Sequence, residues 1–322
     1  MSRQAAPPVL PWLIFSLYGG KSRHAYCPEK CGVLRIRLRR QVLTGKRLVG
    51  AQDGGWVAVI GGKLRLVIVN LFSGAEVALP ENQRGIFCYD KLVFSKPPTS
   101  DGCTLATITE YRGIALCRVG CPNTGWSVEG CPNKPIVDIL FWNGELYSLL
   151  YDGHLIKFEI GMNEDGAPVI TATHWLVIQR IGHAISEGYY RDYVSYIFDL
   201  EGKFAMALRR QWLPNLEPFF KVFKLVDIHG PYACYKHKWL EVTSLGDHAL
   251  FLGETFSKAV HVSANGRGDV KRNQIYYSDN CWFGTEDFMP GDIVSVAISN
   301  DSSSVTCHKE DDSKSGITGD GL

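Results

Sequence analysis

Residues 136–160 read IVDILFW-NG-ELYSLLY-DG-HLIKFEI, and this stretch decides the fold class. Ile136 to Trp142 is an apolar run, and Asn143-Gly144 is a strong two-residue hairpin turn. Leu146 to Tyr151 makes the return strand, Asp152-Gly153 turns the chain again, and Leu155 to Ile160 supplies a third strand. Asn-Gly and Asp-Gly favour type I′ turns, in which both central residues take positive φ. Three strands in so short a stretch predict an antiparallel meander.

The same cadence recurs on both sides. Gly54-Gly55-Trp56 leads into Val57 to Ile60, Gly61-Gly62 precedes Leu64 to Val69, and Ser73-Gly74 precedes Val77 to Leu79. Glu201-Gly202 separates Tyr196 to Leu200 from Phe204 to Leu208. Phe219 to Val226 and Asn273 to Ser278 are further aromatic-rich strands. No stretch carries apolar residues at i, i+3, i+4 and i+7 between plausible caps, so helices are not expected. Short strands repeating in blade-sized units predict an all-β fold: a single β-propeller of about six or seven antiparallel blades. The expected boundaries are an N-terminal extension at 1–10, a propeller at 11–298 and a disordered tail at 299–322, where Ser, Asp, Gly and Lys dominate.

The 322 residues are 45% hydrophobic, enough for a substantial core, which excludes a disordered or collagen-like chain. Thirty-four basic residues against 33 acidic ones leave no global charge to draw the chain to nucleic acid or membrane. The most basic segment, Arg35 to Arg47, alternates Arg35, Arg37 and Arg39 with apolar residues and carries no interleaved aromatics. It reads as the solvated face of a strand rather than a nucleic-acid strip. The apolar run Val9 to Tyr18 contains Pro11 and is far short of the roughly 20 residues a spanning helix needs. It also lacks a good signal-peptide start and cleavage site. The expected location is therefore cytoplasmic or nuclear, with the ten cysteines as reduced thiols.

Chemistry is hard to find. Cys27-x3-Cys31, with His24 the nearest histidine, and Cys117-x3-Cys121 with Cys131 beyond and no histidine beside it, have spacings that could suit zinc, but they read as buried or loop thiols. No phosphate-binding loop, dinucleotide fingerprint, metalloprotease motif or nucleophile elbow is present. The nine histidines show no pair at metal spacing on one element. Arg267-Gly268-Asp269 reads as a polar loop, and Asn300-Asp301-Ser302 as a glycosylation sequon that an intracellular chain would not use. No catalytic, cofactor-binding or metal residue is named, and no cofactor is expected.

The turns in order carry a resemblance. Pro11-Trp12-Leu13, Gly54-Gly55-Trp56-Val57, Asn70-Leu71-Phe72-Ser73-Gly74 and Leu79-Pro80 open the pattern. Lys91-Leu92-Val93-Phe94-Ser95 with Pro97-Pro98, then Ala115-Leu116-Cys117-Arg118 and Trp142-Asn143-Gly144-Glu145-Leu146-Tyr147 continue it. Trp239-Leu240-Glu241-Val242 with Ser244 to Gly253 is its most specific block, and Asn273-Gln274-Ile275-Tyr276-Tyr277-Ser278-Asp279 closes it. The chain resembles the plant F-box-associated β-propeller family, domain of unknown function 295. That resemblance implies a propeller that recognises the substrate of a ubiquitin ligase, behind a helical F-box that binds a Skp-type adaptor of the cullin. Only ten residues precede Pro11, so the expectation is a member without the F-box, unable to recruit the adaptor.

The function expected is a non-enzymatic module that binds an unidentified protein partner. The alternatives are an enzyme with its site in the propeller channel and a nucleic-acid-binding protein using segment 35–47. In the core, Trp56, Trp142, Trp239, Leu245, Leu250 and Phe251 are expected to be buried, with Gly246-Asp247 turning between two strands.

Overall fold

Asn143 and Gly144 both take positive φ, 51° and 81°, as do Glu201 and Gly202 at 57° and 72°. These are the tight hairpin turns whose twist matches that of the strands they join. The computed structural model describes residues 47–278 apart from 62–64, 81–90, 110–112, 122–123, 131–134, 180–189, 213–217, 230–234, 254 and 264–269, with backbone strands at 13–16, 23–27, 32–36, 293–297 and 307–308. Among the described residues there is no helix, and the strands fall into six sheets.

The first sheet is β1 (Leu13–Ser16), β2 (Arg23–Cys27) and β3 (Gly32–Ile36). The second is β4 (Arg47–Gln52), β5 (Trp56–Ile60), β6 (Leu66–Asn70) and β7 (Glu76–Val77). The third is β8 (Leu92–Phe94), β9 (Thr104–Ile108), β10 (Ile114–Arg118) and β11 (Ser127–Glu129). The fourth, which holds the predicted meander, is β12 (Ile136–Trp142), β13 (Glu145–Leu150), β14 (Leu155–Met162) and β15 (Pro168–Leu176). All four are antiparallel meanders.

The last two sheets are less simple. The fifth runs β16-β20-β19-β18-β17, from β16 (Ile178–Gln179), β17 (Tyr190–Leu200), β18 (Lys203–Trp212), β19 (Pro218–Asp227) and β20 (His237–Val242). The short β16 lies parallel to β20, with Ile178 opposite His237. The sixth runs β22-β21-β23-β24-β25, from β21 (His248–Leu252), β22 (Lys258–His261), β23 (Gln274–Ser278), β24 (Ile293–Ala297) and β25 (Cys307–His308). Here β21 and β23 are parallel, which departs from the purely antiparallel blades expected. Cys307 and His308 fall within the segment expected to be disordered, and their backbone pairs with β24.

Sheets two to six pack in chain order, and β4, β8, β12, β17 and β22 carry the contacts from sheet to sheet. Those five strands therefore lie innermost. Lys258 of β22 reaches Asp53 at the end of β4, 205 residues away, and brings the sixth sheet back to the second. Among the described residues the result is a β-propeller with a ring of five sheets, fewer than the six or seven blades expected. Gly50 shows how tightly the inner strands approach: a Cβ there would collide with the backbone oxygen of Leu92 on β8.

The core lies in the seams between sheets. Val49, Trp56, Ile68, Leu92, Leu105 and Cys117 fill the seam of sheets two and three. Tyr147, Leu155, Ile197, Phe204 and Trp239 fill that of sheets four and five. Trp56, Trp239, Leu245, Leu250 and Phe251 are buried as expected. Trp142 differs: it is only half-buried, because its indole N–H reaches the rim to donate to Asp199 Oδ2 at 2.9 Å. Its ring still packs edge-on against Phe204, 5.5 Å between centroids.

Candidate functional site

Three places merit functional reading: the charged pair among the inner strands, the junction of sheets five and six, and the exposed apolar surface beside sheets four and five. The first begins with one residue in the meander. Asp138 is a charged residue inside an otherwise apolar strand, and a β-bulge between Ile136 and Asp138 sets its direction. Its Oδ1 accepts from Lys91 Nζ at 2.5 Å and from the Ile139 N–H at 2.8 Å. Its Oδ2 accepts from the Ile197 N–H at 2.7 Å. Lys91 is anchored in turn by Thr107, whose hydroxyl donates to the Lys91 carbonyl at 2.9 Å.

One carboxylate thus ties sheets three, four and five at the centre of the ring. Burial pushes the Asp138 carboxyl above the ordinary carboxylate range, and Lys91 with the two N–H groups opposes the rise. Both side chains are almost fully buried, 7% and 4% exposed, and each carboxylate oxygen is occupied. The pair fits a structural staple, with no acceptor left over for acid–base work on a substrate.

The second place is built on the Ser244 to Gly253 block. Asn273 takes positive φ, and its Oδ1 accepts from the Leu245 N–H at 2.7 Å and the Ser244 hydroxyl at 3.2 Å. Gly246 takes φ 60°, and Leu245 packs inward with Leu250 and Leu252. Gly246-Asp247 turns the chain between β20 and β21, as expected. The block and Asn273 lock one another.

Beside this lock the hairpin turn of sheet five meets sheet six. His248 stands opposite His261 across β21 and β22, their rings edge to face at 5.5 Å. Glu201 Oε1 lies 3.5 Å from His248 Nδ1, while Glu201 Oε2 accepts from Lys224 Nζ at 2.8 Å. The hydrogen bond from Lys224 holds the Glu201 carboxyl below its usual value. Arg272 donates to Asp247 Oδ1 at 2.6 Å and to the Val262 carbonyl at 2.9 Å. Sequence reading missed this cluster, because Glu201 and the histidines are distant along the chain.

The third place is apolar. Tyr151, Trp175, Val177 and Tyr235 are exposed by 57%, 45%, 51% and 40%. Their segments meet where the parallel β16–β20 pair joins sheet four to sheet five. The Trp239 indole N–H donates to the Gly153 carbonyl at 2.9 Å, and Leu155 pairs with Leu176. Those contacts bring the 151–153 turn, the 175–178 link and the start of β20 side by side.

The other residues weighed from sequence fall as follows. Cys103 and Cys117 are buried free thiols pushed upward by burial, and Cys121 is a half-buried free thiol. Among the described residues, no group of three or more His, Cys, Asp or Glu side chains could hold a metal ion. Cys27, Cys31, Cys131, the Arg267-Gly268-Asp269 tripeptide and Asn300 have no described side chains, and Arg47 is the exposed end of the basic segment. Among the described residues, no helix is long and apolar enough to cross a membrane.

Comparison with solved structures gives distant likenesses. The WD40 domain of SCAP from fission yeast aligns at TM-score 0.30 and 11% identity, over 76% of this chain and 78% of that one. The dihydro-heme d1 dehydrogenase NirN in complex with DHE aligns at TM-score 0.30 and 9% identity, over 91% and 69%. At such scores neither carries an argument about what this chain does. Comparison with curated proteins returned no match. The sequence model of one family, however, spans nearly the whole ring. The KIB1-4 beta-propeller model matches residues 23–305, and the chain belongs to the KIB1-4 beta-propeller family.

Proposed function

We propose that this propeller is a non-enzymatic protein-interaction module whose docking surface lies beside the junction of sheets four and five. The observation that carries the reading is the convergence there of exposed Tyr151, Trp175, Val177 and Tyr235. Aromatic residues of this kind dominate the energetics of protein interfaces. The buried Lys91–Asp138 pair supports the same reading, since its hydrogen-bonding capacity is spent on holding the ring.

The finer reading is a substrate-recognising propeller related to the plant F-box-associated proteins of ubiquitin ligases, acting in the cytoplasm or nucleus. Its support is the resemblance of the turn motifs, with the propeller taken over 11–298 and flanked by an extension and a tail. The partner is a protein.

Proximity labelling in the source cells with wild type and a Trp175→Ala/Tyr235→Ala double variant tests the docking surface. Partners enriched by wild type and lost by the variant, at equal expression and thermal stability, support it. An unchanged set of partners places binding elsewhere. Co-purification with a Skp-type adaptor tests how far the finer reading extends, and a one-to-one complex would add adaptor binding to it.

A further inference from the structure

We propose that the outer edge of β15 pairs with the same edge of a second copy of this chain, as an antiparallel ladder centred on Thr173. β15 is the outermost strand of sheet four and runs nine residues, Pro168–Leu176. At its start the Ser127 hydroxyl donates to the Pro168 carbonyl, and β11 closes against it. Beyond that point no strand of the described residues pairs with its outer edge. A strand edge of this kind is a template on which another strand can add.

The other outer strands of sheets two to six are guarded. β7, β11, β16 and β25 are only two or three residues long. The longer β20 carries Lys238 and Glu241 and has β16 laid along its start. Shortness, charge and cover are the devices by which sheets avoid edge-to-edge association. Past Pro168, β15 has none of the three. From Pro168 to Gln179 there is no Asp, Glu, Lys or Arg, and His174 is engaged by Glu159 at 2.8 Å. Its one guard is a bulge at Thr171, opposite Glu159 and Ile160, which leaves the strand regular from Ala172 on.

The occupant is a second copy because this edge complements itself. Centred on Thr173, antiparallel pairing sets Thr173 against Thr173 and Ala172 against His174, so no like charges stand opposite one another. It also brings opposite ends of the strand together. The hairpin before β15 carries exposed Glu164 and Asp165, and at the other end Gln179 pairs with exposed Lys238, close to exposed Lys236. The acidic tip of each copy therefore falls at the basic end of the other, twice by symmetry. A ladder this short stays below the ~800 Å² per partner of a standard interface, which makes the expected dimer a weak one of the micromolar range. The inference goes beyond the docking reading, because it engages the backbone edge of β15 and a second copy rather than a foreign protein.

Sedimentation velocity of the full chain with its thiols reduced, across the micromolar range, should show monomer passing reversibly to dimer. Over the same range, backbone hydrogen exchange at 172–174 should slow in wild type. Thr173 is exposed, so Thr173→Lys and Thr173→Glu should each keep the melting point of dilute wild type. Each should also stay monomeric, because either substitution sets like charges face to face across the symmetry axis. An equimolar mixture of the two variants should dimerise again, roughly tenfold more tightly than either alone. Should either substitution unfold the chain, hydrogen exchange in wild type decides alone. A wild type monomeric throughout, a dimer that both variants keep, a mixture no tighter than its components, or dimerisation without slower exchange at 172–174 would each overturn the proposal.

Discussion

Two ion pairs in this ring have the same N···O distance, 2.5 Å, and opposite surroundings. Lys91–Asp138 lies among the inner strands, where both side chains are almost fully buried and the carboxylate also accepts two backbone N–H groups. Asp53–Lys258 links the sixth sheet to the second at the rim, with Asp53 70% exposed. The comparison teaches that distance does not rank ion pairs. A buried pair is expensive to break because the surviving charge has no solvent, whereas a rim pair exchanges its partner for water at little cost.

The largest effect is expected at the buried pair. Asp138→Ala should destabilise the propeller by about 3–5 kcal/mol, read by urea unfolding. Lys91→Met/Asp138→Leu should recover much of that loss, since two apolar groups leave no orphaned charge. A double variant as unstable as the single one would show that the Asp138 bonds to Ile139 and Ile197, not the stranded lysine, carry the effect.

Next comes Trp142, half-buried at the seam of sheets four and five. Trp142→Ala should cost about 2–3 kcal/mol, below the 3–5 kcal/mol of a fully buried aromatic. Trp142→Phe should restore the packing with Phe204 but not the bond to Asp199, so a Phe variant as stable as wild type would remove that bond from the account.

The third expectation is a pH dependence. The folded carboxyl of Asp138 is raised above its unfolded value, so its contribution is fully present below the unfolded value of about 3.9 and is lost as pH rises through the folded one. Wild type should therefore lose stability relative to Asp138→Asn as pH rises across that window. Parallel pH profiles for the two proteins would contradict the raised value. The smallest effect belongs to the rim: Lys258→Ala should cost under about 1 kcal/mol and nothing measurable in high salt.

What was legible in the sequence follows the range of the forces involved. The turns at Asn143-Gly144 and Glu201-Gly202 are local, because backbone sterics over two residues decide them. The meander from Ile136 to Ile160 and the Ser244 to Gly253 core followed from the same short-range pattern. Reading Ile136 to Trp142 as an apolar run passed over Asp138, whose partner Lys91 lies 47 residues earlier. Trp142 was read as core because tryptophan is apolar, yet its N–H required the acceptor on Asp199, 57 residues on. The exposed surface near Trp175 and the Glu201–His248–His261 cluster escaped for the same reason. Both depend on which sheets become neighbours, and the parallel β16–β20 and β21–β23 pairs carry no local signature.

The parallel β21–β23 pair has a consequence for biosynthesis. The β21–β22 hairpin is complete once His261 has left the ribosome, but the strand that covers the other edge of β21 begins only at Gln274. At about 5–20 residues per second, that edge waits on the order of one to three seconds for its partner. During that interval Ala249, Leu250, Phe251 and Leu252, all buried in the finished ring, stand beside an open row of backbone donors and acceptors. An uncovered apolar edge of this kind pairs readily with another chain. The sixth sheet is therefore a part of the nascent protein that a chaperone would shield.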